Sequence, residues 1–201
     1  MLLKGTNSKK LIVAFSAYQK SPTSMKFDLL NFFDKEYNDY SRHYYLDRHM
    51  AFYHKGIEGV STNIEETVSH LKDKIKDFDE VNFTGISAGG YAAILFGSIL
   101  KVNKVIAFRP MTMLPSMVPT YPYVDPKYDN LNTYINKTTQ YFLYGQRNID
   151  PVDDPLHFWH NAYHCDNINN FANVKLNDKF HMKNLKDKEI LKNIFDNHLK
   201  N

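Results

Sequence analysis

The segment from residue 80 to residue 100 limits the possible folds of this chain more than any other part of the sequence. Residues 80–84 (EVNFT) are typical of a strand, residues 85–90 (GISAGG) contain three glycines, and residues 91–100 (YAAILFGSIL) form an apolar helical run. A helix that is apolar on every side must be buried, so the strand that leads into it belongs to a sheet covered by that helix. The segment therefore predicts a layered α/β domain.

The remainder of the chain alternates between strand and helix in the same way. Short apolar runs predict further strands at residues 10–15, 43–46, 104–108, 140–144 and 172–176. Helical spacing predicts helices at residues 24–37, 62–78, 154–168 and 185–199. Right-handed crossovers between such strands give a mostly parallel sheet of about six strands with helices on both faces. We expect a three-layer α/β sandwich in one domain spanning 1–201, compact and without a large cap domain.

Two of the predicted helices have recognisable starts. Ser24 precedes the first as an N-cap residue. Thr62 and Glu65 have the spacing of a capping box, in which two side chains near the helix start accept hydrogen bonds from backbone N–H groups.

Composition argues against several classes of protein. The net charge of +3 is dispersed over 25 basic and 22 acidic residues, and only four of the basic residues are arginine, so no nucleic-acid partner is expected. No apolar run is long enough to cross a bilayer, so no membrane insertion is expected. The single cysteine, Cys165, allows no internal disulfide, and a reducing, cytoplasmic compartment is the default expectation.

Residues 85–89 match the G-x-S-x-G pattern of a nucleophile elbow, with Ser87 at its centre. The pattern has a steric reason, because only small residues two positions before and after the serine let strand and helix approach closely. The helix follows the serine directly, so its dipole and the Ala88 N–H are placed to stabilise an oxyanion. We expect the second donor after the first strand, at Ser16 or Ala17. The alternative is a glycine-rich turn that packs tightly or binds a phosphate.

A serine nucleophile needs an acid and a base, which follow the elbow motif in the chain order Asp or Glu and then His. The loop after residues 140–144 contains Asp150, Asp153 and Asp154. At least one of these is expected to cap the following helix, and Asp150 and Asp153 rank nearly level as the triad acid. His181 follows the last predicted strand, where the base is expected; the alternative is a solvated loop histidine.

Aromatic and basic side chains near the predicted site are candidate substrate contacts. Tyr53 and Tyr121 are candidates for stacking on a sugar ring, with ordinary packing as the alternative because tyrosine is abundant in this chain. Arg109 follows a strand end, where it either binds an acidic sugar or a phosphate of coenzyme A, or caps the strand and pairs locally.

Three histidines on one predicted helix suggest a competing metal site. His157, His160 and His164 are spaced so that they share one face of that helix. The chain has no HExxH pattern, and Trp159 and Tyr163 lie between these histidines. Packing on the sheet or lining a pocket is therefore favoured, and no metal is predicted.

Three stretches carry a resemblance to a known family. Residues 52–57 (FYHKGI), 85–93 (GISAGGYAA) and 107–110 (AFRP) resemble a compact branch of the α/β-hydrolase-fold family found with bacterial surface-polysaccharide genes. That branch includes capsule O-acetyltransferases. The resemblance implies a triad of Ser87, an aspartate of the 150–154 loop and His181, with no bound cofactor and acetyl-CoA as a possible co-substrate.

Three functions follow from this interpretation. The first is transfer of an acetyl group to a sugar hydroxyl of a bacterial surface polysaccharide. The second is hydrolysis of the same acyl-serine by an esterase, deacetylase or thioesterase, with a carbohydrate or a small acyl ester as substrate. The third is a non-catalytic accessory protein of glycan assembly that keeps the fold. Intact Ser87 and His181 argue against the third.

Overall fold

A seven-stranded sheet forms the centre of the computed structural model, which describes residues 2–19, 26–114, 123–147 and 165–200. The strands are β1 (Leu2–Leu3), β2 (Asn7–Phe15), β3 (Tyr40–Tyr45), β4 (Glu80–Ile86), β5 (Lys104–Phe108), β6 (Gln140–Tyr144) and β7 (Val174–Asn177). Their spatial order is β1-β3-β2-β4-β5-β6-β7. Every neighbouring pair is parallel except β1 and β3, which are antiparallel.

Helices cover both faces of this sheet. In the described ranges they are α1 (Leu30–Glu36), α2 (Ile64–Ile75), α3 (Ala88–Leu100) and α4 (Lys188–Leu199). The buried side chains of α2 and α3 belong to the core on one face, and those of α1 and α4 belong to the core on the other. Among these described helices, none combines the length and the apolar character needed to cross a membrane.

β2 shows why its sequence is a continuous apolar run rather than an alternating one. Val13 and Phe15 pack into the core under α2 and α3, whereas Ile12 and Ala14 pack into the core under α1 and α4. Successive side chains of a strand point to opposite faces, and both faces of this sheet are covered. The strand is therefore apolar at every position from Leu11 to Phe15.

The predicted fold class is confirmed, with one strand more than expected. The additional strand, β1, has only two residues and is too short to show a periodic pattern. Strands β5 and β6 have their predicted bounds, whereas β2 and β3 each begin three residues earlier than predicted. β4 continues to Ile86, so the sheet extends up to the serine of the elbow.

Several helix starts differ from their predicted positions. The first helix begins at Leu30 after a left-handed Leu29, and the predicted cap, Ser24, lies outside the described residues. The capping box of α2 is shifted by one residue, because the Asn63 side chain accepts from the Glu66 N–H at 2.8 Å. The Glu66 carboxylate in turn accepts from the Thr62 N–H at 2.8 Å.

The C-terminal part of the chain also differs in detail from the prediction. The strand predicted at residues 172–176 is observed as β7, displaced toward the C-terminus. The terminal helix starts at Lys188 after an Asp187 cap, and a 3-10 turn, Met182–Lys186, precedes it. Most of the helix predicted at residues 154–168 lies outside the described residues.

Candidate active site

Ser87 occupies a strained turn between β4 and α3. Its backbone angles are φ 52° and ψ −115°, a positive-φ conformation that residues with side chains rarely adopt. The Ser87 N–H donates to the Phe108 carbonyl at 2.9 Å, and the Ser87 carbonyl accepts from the Tyr91 N–H at 3.0 Å. Ser87 is partly exposed, whereas the helix residues from Ala88 onward are buried. The turn thus leaves one serine partly accessible at the carboxyl edge of the sheet.

The two glycines of the elbow are there because neighbouring backbone leaves no room for a side chain. A Cβ on Gly85 would lie 2.2 Å from the Gly89 carbonyl oxygen. A Cβ on Gly89 would lie 2.0 Å from the Phe15 carbonyl oxygen. Such distances are far inside van der Waals contact, so the strand end, the first turn of α3 and the end of β2 meet backbone to backbone.

The first turn of α3 is suited to a developing negative charge. The helix runs for 13 residues from Ala88, its first turn contains no acidic side chain, and the Ser87 hydroxyl does not cap it. The initial N–H groups of a helix have no intrahelical acceptor and carry the positive end of the helix dipole. The Ala88 N–H therefore remains the predicted first oxyanion donor.

The loop after β2 lies beside this turn, but its two predicted oxyanion donors are already engaged. A Cβ on Gly89 would come within 2.9 Å of the Ser16 carbonyl carbon, which shows how close the loop is. The Ser16 N–H donates to the Tyr45 carbonyl at 3.0 Å and extends the pairing of β2 with β3. This corrects the assignment of Ser16, whose amide belongs to the sheet. The Ala17 N–H donates at 2.7 Å to Oδ2 of Asp28, which is a side-chain acceptor and not part of the sheet.

His181 is exposed and follows β7 at the same edge of the sheet. The preceding residue, Phe180, is buried and packs on the Phe108 ring with a centroid separation of 5.4 Å. Because the Phe108 carbonyl also accepts the Ser87 N–H, the same residue braces the serine turn and the segment that leads into His181. Phe108 thus contacts both the turn that carries Ser87 and the residue that precedes His181.

The loop that carries the candidate acids starts alongside the histidine segment. The Phe180 N–H donates to the Gly145 carbonyl at 2.8 Å, and the Arg147 N–H donates to the Asp178 carbonyl at 3.0 Å. The segments after β6 and β7 therefore run together up to Arg147. The candidate acids Asp150, Asp153 and Asp154 lie outside the described residues.

Arg147, which follows β6, connects Asp166 to the segment that precedes His181. Its guanidinium donates to Asp166 through two nitrogens, at 3.1 Å and 2.6 Å, and to Asp178 through Nε at 2.7 Å. The bidentate pairing is the geometry that arginine and carboxylate form best, and it lowers the pKa of Asp166. Arg147 thus links Asp166 to Asp178, which lies between β7 and His181.

The predicted substrate contacts are corrected by burial. Tyr53 has no exposed surface, and its hydroxyl donates toward the Ser16 and Tyr45 carbonyls at 3.0 and 3.2 Å. The ring therefore belongs to the core and does not stack on a sugar. Arg109 is only 2% exposed, so its guanidinium is not presented to an external sugar or phosphate. Tyr121 lies outside the described residues.

A buried hydrogen-bond chain organises the segments around the first turn of α3. The Asp125 N–H donates to His54 Nδ1 at 3.0 Å, so the proton is on Nε2, which donates to the Tyr91 hydroxyl at 2.9 Å. The Tyr91 hydroxyl donates in turn to the Tyr128 carbonyl at 2.6 Å. Burial lowers the pKa of His54 to about 4, which keeps the ring neutral. The 52–57 stretch therefore has a structural role.

Within the described ranges, no group of three histidine, cysteine, aspartate or glutamate side chains is placed to bind a metal ion. The predicted histidine cluster, His157, His160 and His164, lies outside those ranges. Cys165 is buried, and burial raises the pKa of its thiol to about 12, which makes it a poor nucleophile.

Nothing in the local sequence marks Asp28 as a functional residue, because it lies inside the helix predicted at residues 24–37. Its contact with Ala17 joins positions 11 residues apart and exists only in the folded chain.

Comparison with known proteins identifies the fold. No protein-family model and no curated protein matches the sequence. A solved structure of the capsule O-acetyltransferase of Neisseria meningitidis serogroup A is similar, with a TM-score of 0.65, 18% identity, and coverage of 97% of this chain and 89% of that chain. The H228A mutant of the same enzyme in complex with CoA matches with a TM-score of 0.64, 15% identity, and coverage of 98% and 89%.

An esterase structure matches equally well. Est1E from Butyrivibrio proteoclasticus with ferulic acid bound has a TM-score of 0.65, 12% identity, and coverage of 100% of this chain and 95% of that chain. These matches show that the chain has the α/β-hydrolase fold, in agreement with its strand-turn-helix around Ser87. At such low identities the fold is shared, and the chemistry must be argued from the site.

Proposed function

We propose that this protein is a serine acyltransferase that moves an acetyl group to a sugar hydroxyl of a bacterial surface polysaccharide. The observation that carries the proposal is the Ser87 turn, which combines a strained, partly exposed serine with the N-terminus of a buried 13-residue helix. The placement of Phe180 on Phe108 supports His181 as the base. The triad acid is one of Asp150, Asp153 and Asp154.

The first half-reaction forms an acyl-enzyme. Ser87 Oγ attacks the thioester carbonyl of acetyl-CoA while His181 takes the hydroxyl proton. The new C–O bond forms, the carbon–sulfur bond breaks, and the proton passes from His181 to the departing CoA sulfur. The oxyanion of the tetrahedral intermediate is stabilised by the Ala88 N–H and the positive end of α3.

The second half-reaction regenerates the enzyme. A sugar hydroxyl gives its proton to His181 and attacks the acetyl carbonyl, the ester bond to Ser87 breaks, and the proton returns to Ser87 Oγ. An acetyl-CoA donor implies that the reaction takes place in the cytoplasm. The resemblance of the 52–57, 85–93 and 107–110 stretches to capsule O-acetyltransferases supports the transferase, as does a structural neighbour of that activity that contains CoA.

Hydrolysis is the second candidate function. It is favoured by the equally close structural match to Est1E, an esterase with ferulic acid bound. Both functions share the acyl-Ser87 intermediate, and they diverge only in whether a sugar hydroxyl or water attacks it.

Intact-protein mass spectrometry after brief exposure to acetyl-CoA, and separately to p-nitrophenyl acetate, tests the proposal. We expect one acetyl adduct on Ser87 with each donor, and Ser87→Ala serves as the control that lacks the nucleophile. The Ser87→Ala protein is expected to fold normally and to retain less than about a thousandth of the wild-type turnover.

The two donors separate the candidate functions. An adduct or turnover with the ester alone would replace the transferase by an esterase. The complete lack of adduct and turnover with both donors would contradict an enzymatic role and favour a non-catalytic partner in glycan assembly.

A further inference from the structure

The carboxylate of Asp28 binds the Ala17 amide, which the sequence predicts as a donor that completes the oxyanion hole. Asp28 Oδ2 accepts the Ala17 N–H at 2.7 Å. Of the two predicted donors, Ala17 is the one whose amide is not part of the sheet, since the Ser16 amide pairs with β3. The loop itself contacts the first turn of α3 at Gly89. An N–H that donates to a carboxylate at this distance is not free to donate to a substrate oxygen.

The segment that carries Asp28, residues 26–28, is fastened to the loop after β2 by several side-chain hydrogen bonds; we call it the strap. Gln19 donates to the Lys26 carbonyl at 2.6 Å and accepts from the Lys26 N–H at 2.9 Å. The Ser16 hydroxyl donates to the Lys26 carbonyl at 3.4 Å and accepts from the Asp28 N–H at 3.3 Å. The strap is thus built to place the Asp28 carboxylate on the Ala17 amide.

Phe27, the middle residue of the strap, lies beside a neighbouring cavity. Phe27 lines a cavity of about 200 Å³ at the carboxyl end of β3, together with Tyr45 and Ile57. The hydrogen bonds that hold the strap on the loop after β2 are polar and exposed or only part-buried, whereas Phe27 also packs on the Tyr44 ring with a centroid separation of 5.8 Å. Such hydrogen bonds contribute little net stability, because water replaces them when they open.

A carboxylate and an oxyanion compete for the same N–H group. The ionised carboxylate is a strong acceptor, and its charge would also repel the negative charge that develops on the substrate oxygen. We propose that Asp28 gates the candidate active site by capping the Ala17 amide, so that the oxyanion hole is complete only after the strap and its carboxylate move away. This inference rests on the proposed acyl-serine chemistry and adds a regulatory residue to it.

A purely structural role for Asp28 predicts the opposite result of a mutation. If the hydrogen bond only held the loop after β2 in shape, weakening it would misplace the Ala17 amide and slow acylation of Ser87. If the carboxylate caps the hole, removing its charge speeds acylation. Burial raises the pKa of the Asp28 carboxyl, because a buried charge loses its contact with water.

The test compares the rate at which a fluorophosphonate labels Ser87 in wild type, Asp28→Asn and Asp28→Ala. The phosphonyl oxygen of this probe occupies the oxyanion hole during attack, so its rate reports on the hole directly. We expect Asp28→Asn, which keeps an oxygen acceptor without the charge, to label about fivefold faster or more, and Asp28→Ala at least as fast. Asp34→Asn is the control, because it removes an exposed carboxylate on α1 whose partners are Arg42 and Tyr44 and not the loop after β2.

The outcomes separate the gate from the underlying chemistry. Labelling of wild type at Ser87, with Asp28→Asn and Asp28→Ala equal to it or slower, would overturn the gate and leave the nucleophile intact. Failure of wild type and both variants to react would overturn the serine chemistry and the gate with it. Melting temperatures of all variants check the fold, and Asp28→Asn decides the question if Asp28→Ala is unfolded.

Discussion

Ser87 and Ala17 illustrate how the candidate chemistry depends on backbone groups. The serine is presented by a positive-φ turn, and the candidate oxyanion donors are backbone amides, one of which already donates to Asp28. Phe108 supports the serine turn through its backbone carbonyl, and the Phe180 side chain packs on the Phe108 ring. Arg147 similarly links Asp166, which follows the candidate acids in the chain, to Asp178. Substitutions of the candidate reacting groups themselves, as opposed to the buried rings, are therefore expected to change rates more than stability.

The triad acid is open to a direct test at this scale. We expect Asp150→Asn and Asp153→Asn to differ sharply, with one losing about 10³ to 10⁴ in kcat and the other staying within a few fold of wild type. The reason is that a single carboxylate sets the tautomer of His181, whereas a helix-capping aspartate does not. Steady-state turnover of p-nitrophenyl acetate measures both, and Asp154→Asn completes the set. Equal, mild losses in all three would refute a single triad acid.

The close packing of helix α3 is the main structural constraint on the candidate site. From Ala88 to Ser98 its residues are buried, and its first turn contacts the ends of β2 and β4 through backbone atoms. A helix in this position cannot shift to make room for a side chain, because the sheet lies on one side and other core residues surround it. Its glycines therefore differ in how well they tolerate replacement.

Gly89→Ala and Gly90→Ala form a matched pair that tests this. The added methyl at position 89 would lie 2.0 Å from a backbone oxygen, and the one at position 90 would lie 3.1 Å from the Pro110 Cβ. We expect Gly89→Ala to lower the free energy of unfolding by more than about 3 kcal/mol and Gly90→Ala to stay within about 1 kcal/mol of wild type. Urea denaturation measures both. Similar costs for the two variants would contradict the close packing of α3 on β2.

Across the whole molecule, histidines that burial keeps neutral make the free energy of unfolding depend on pH. His43 on β3, His54 beside α3 and His198 on α4 lie in different parts of the structure, and burial lowers the pKa of each to about 4. The unfolded chain keeps ordinary histidine values near 6.5 and therefore binds more protons between about pH 6.5 and 4. The histidine contribution to stability is fully present above that window and is lost as pH falls through it.

We expect this loss to reach at most about 3 kcal/mol for His54 between pH 7 and 4. Burial raises the pKa values of Asp28 and Asp47, so their contributions have the opposite sign. The difference between wild type and His54→Gln isolates the histidine, because glutamine offers one donor and one acceptor and does not titrate. Urea denaturation at pH 7, 5.5 and 4.5 gives the measurement. An unchanged pH dependence in His54→Gln would show that the ring is not held neutral.

The sequence by itself determined the layered fold and the position of the serine. Apolar runs, helical spacing and the glycines at positions 85 and 89 express local backbone preferences and local steric demands, which are readable from neighbouring residues. The same local logic misplaced the capping box by one residue and missed the two-residue strand β1, because a pattern that short has no period.

Only the tertiary structure decided which groups of the candidate site are engaged. The burial of Tyr53, the pairing of the Ser16 amide with β3 and the Asp28 carboxylate on Ala17 all join residues that are distant in sequence. Whether a polar group is free depends on which segments the fold places beside it, and the periodicity of a single segment contains no information about its neighbours in space. The candidate nucleophile is therefore a property of one local turn, whereas access to the proposed oxyanion hole is a property of the folded chain.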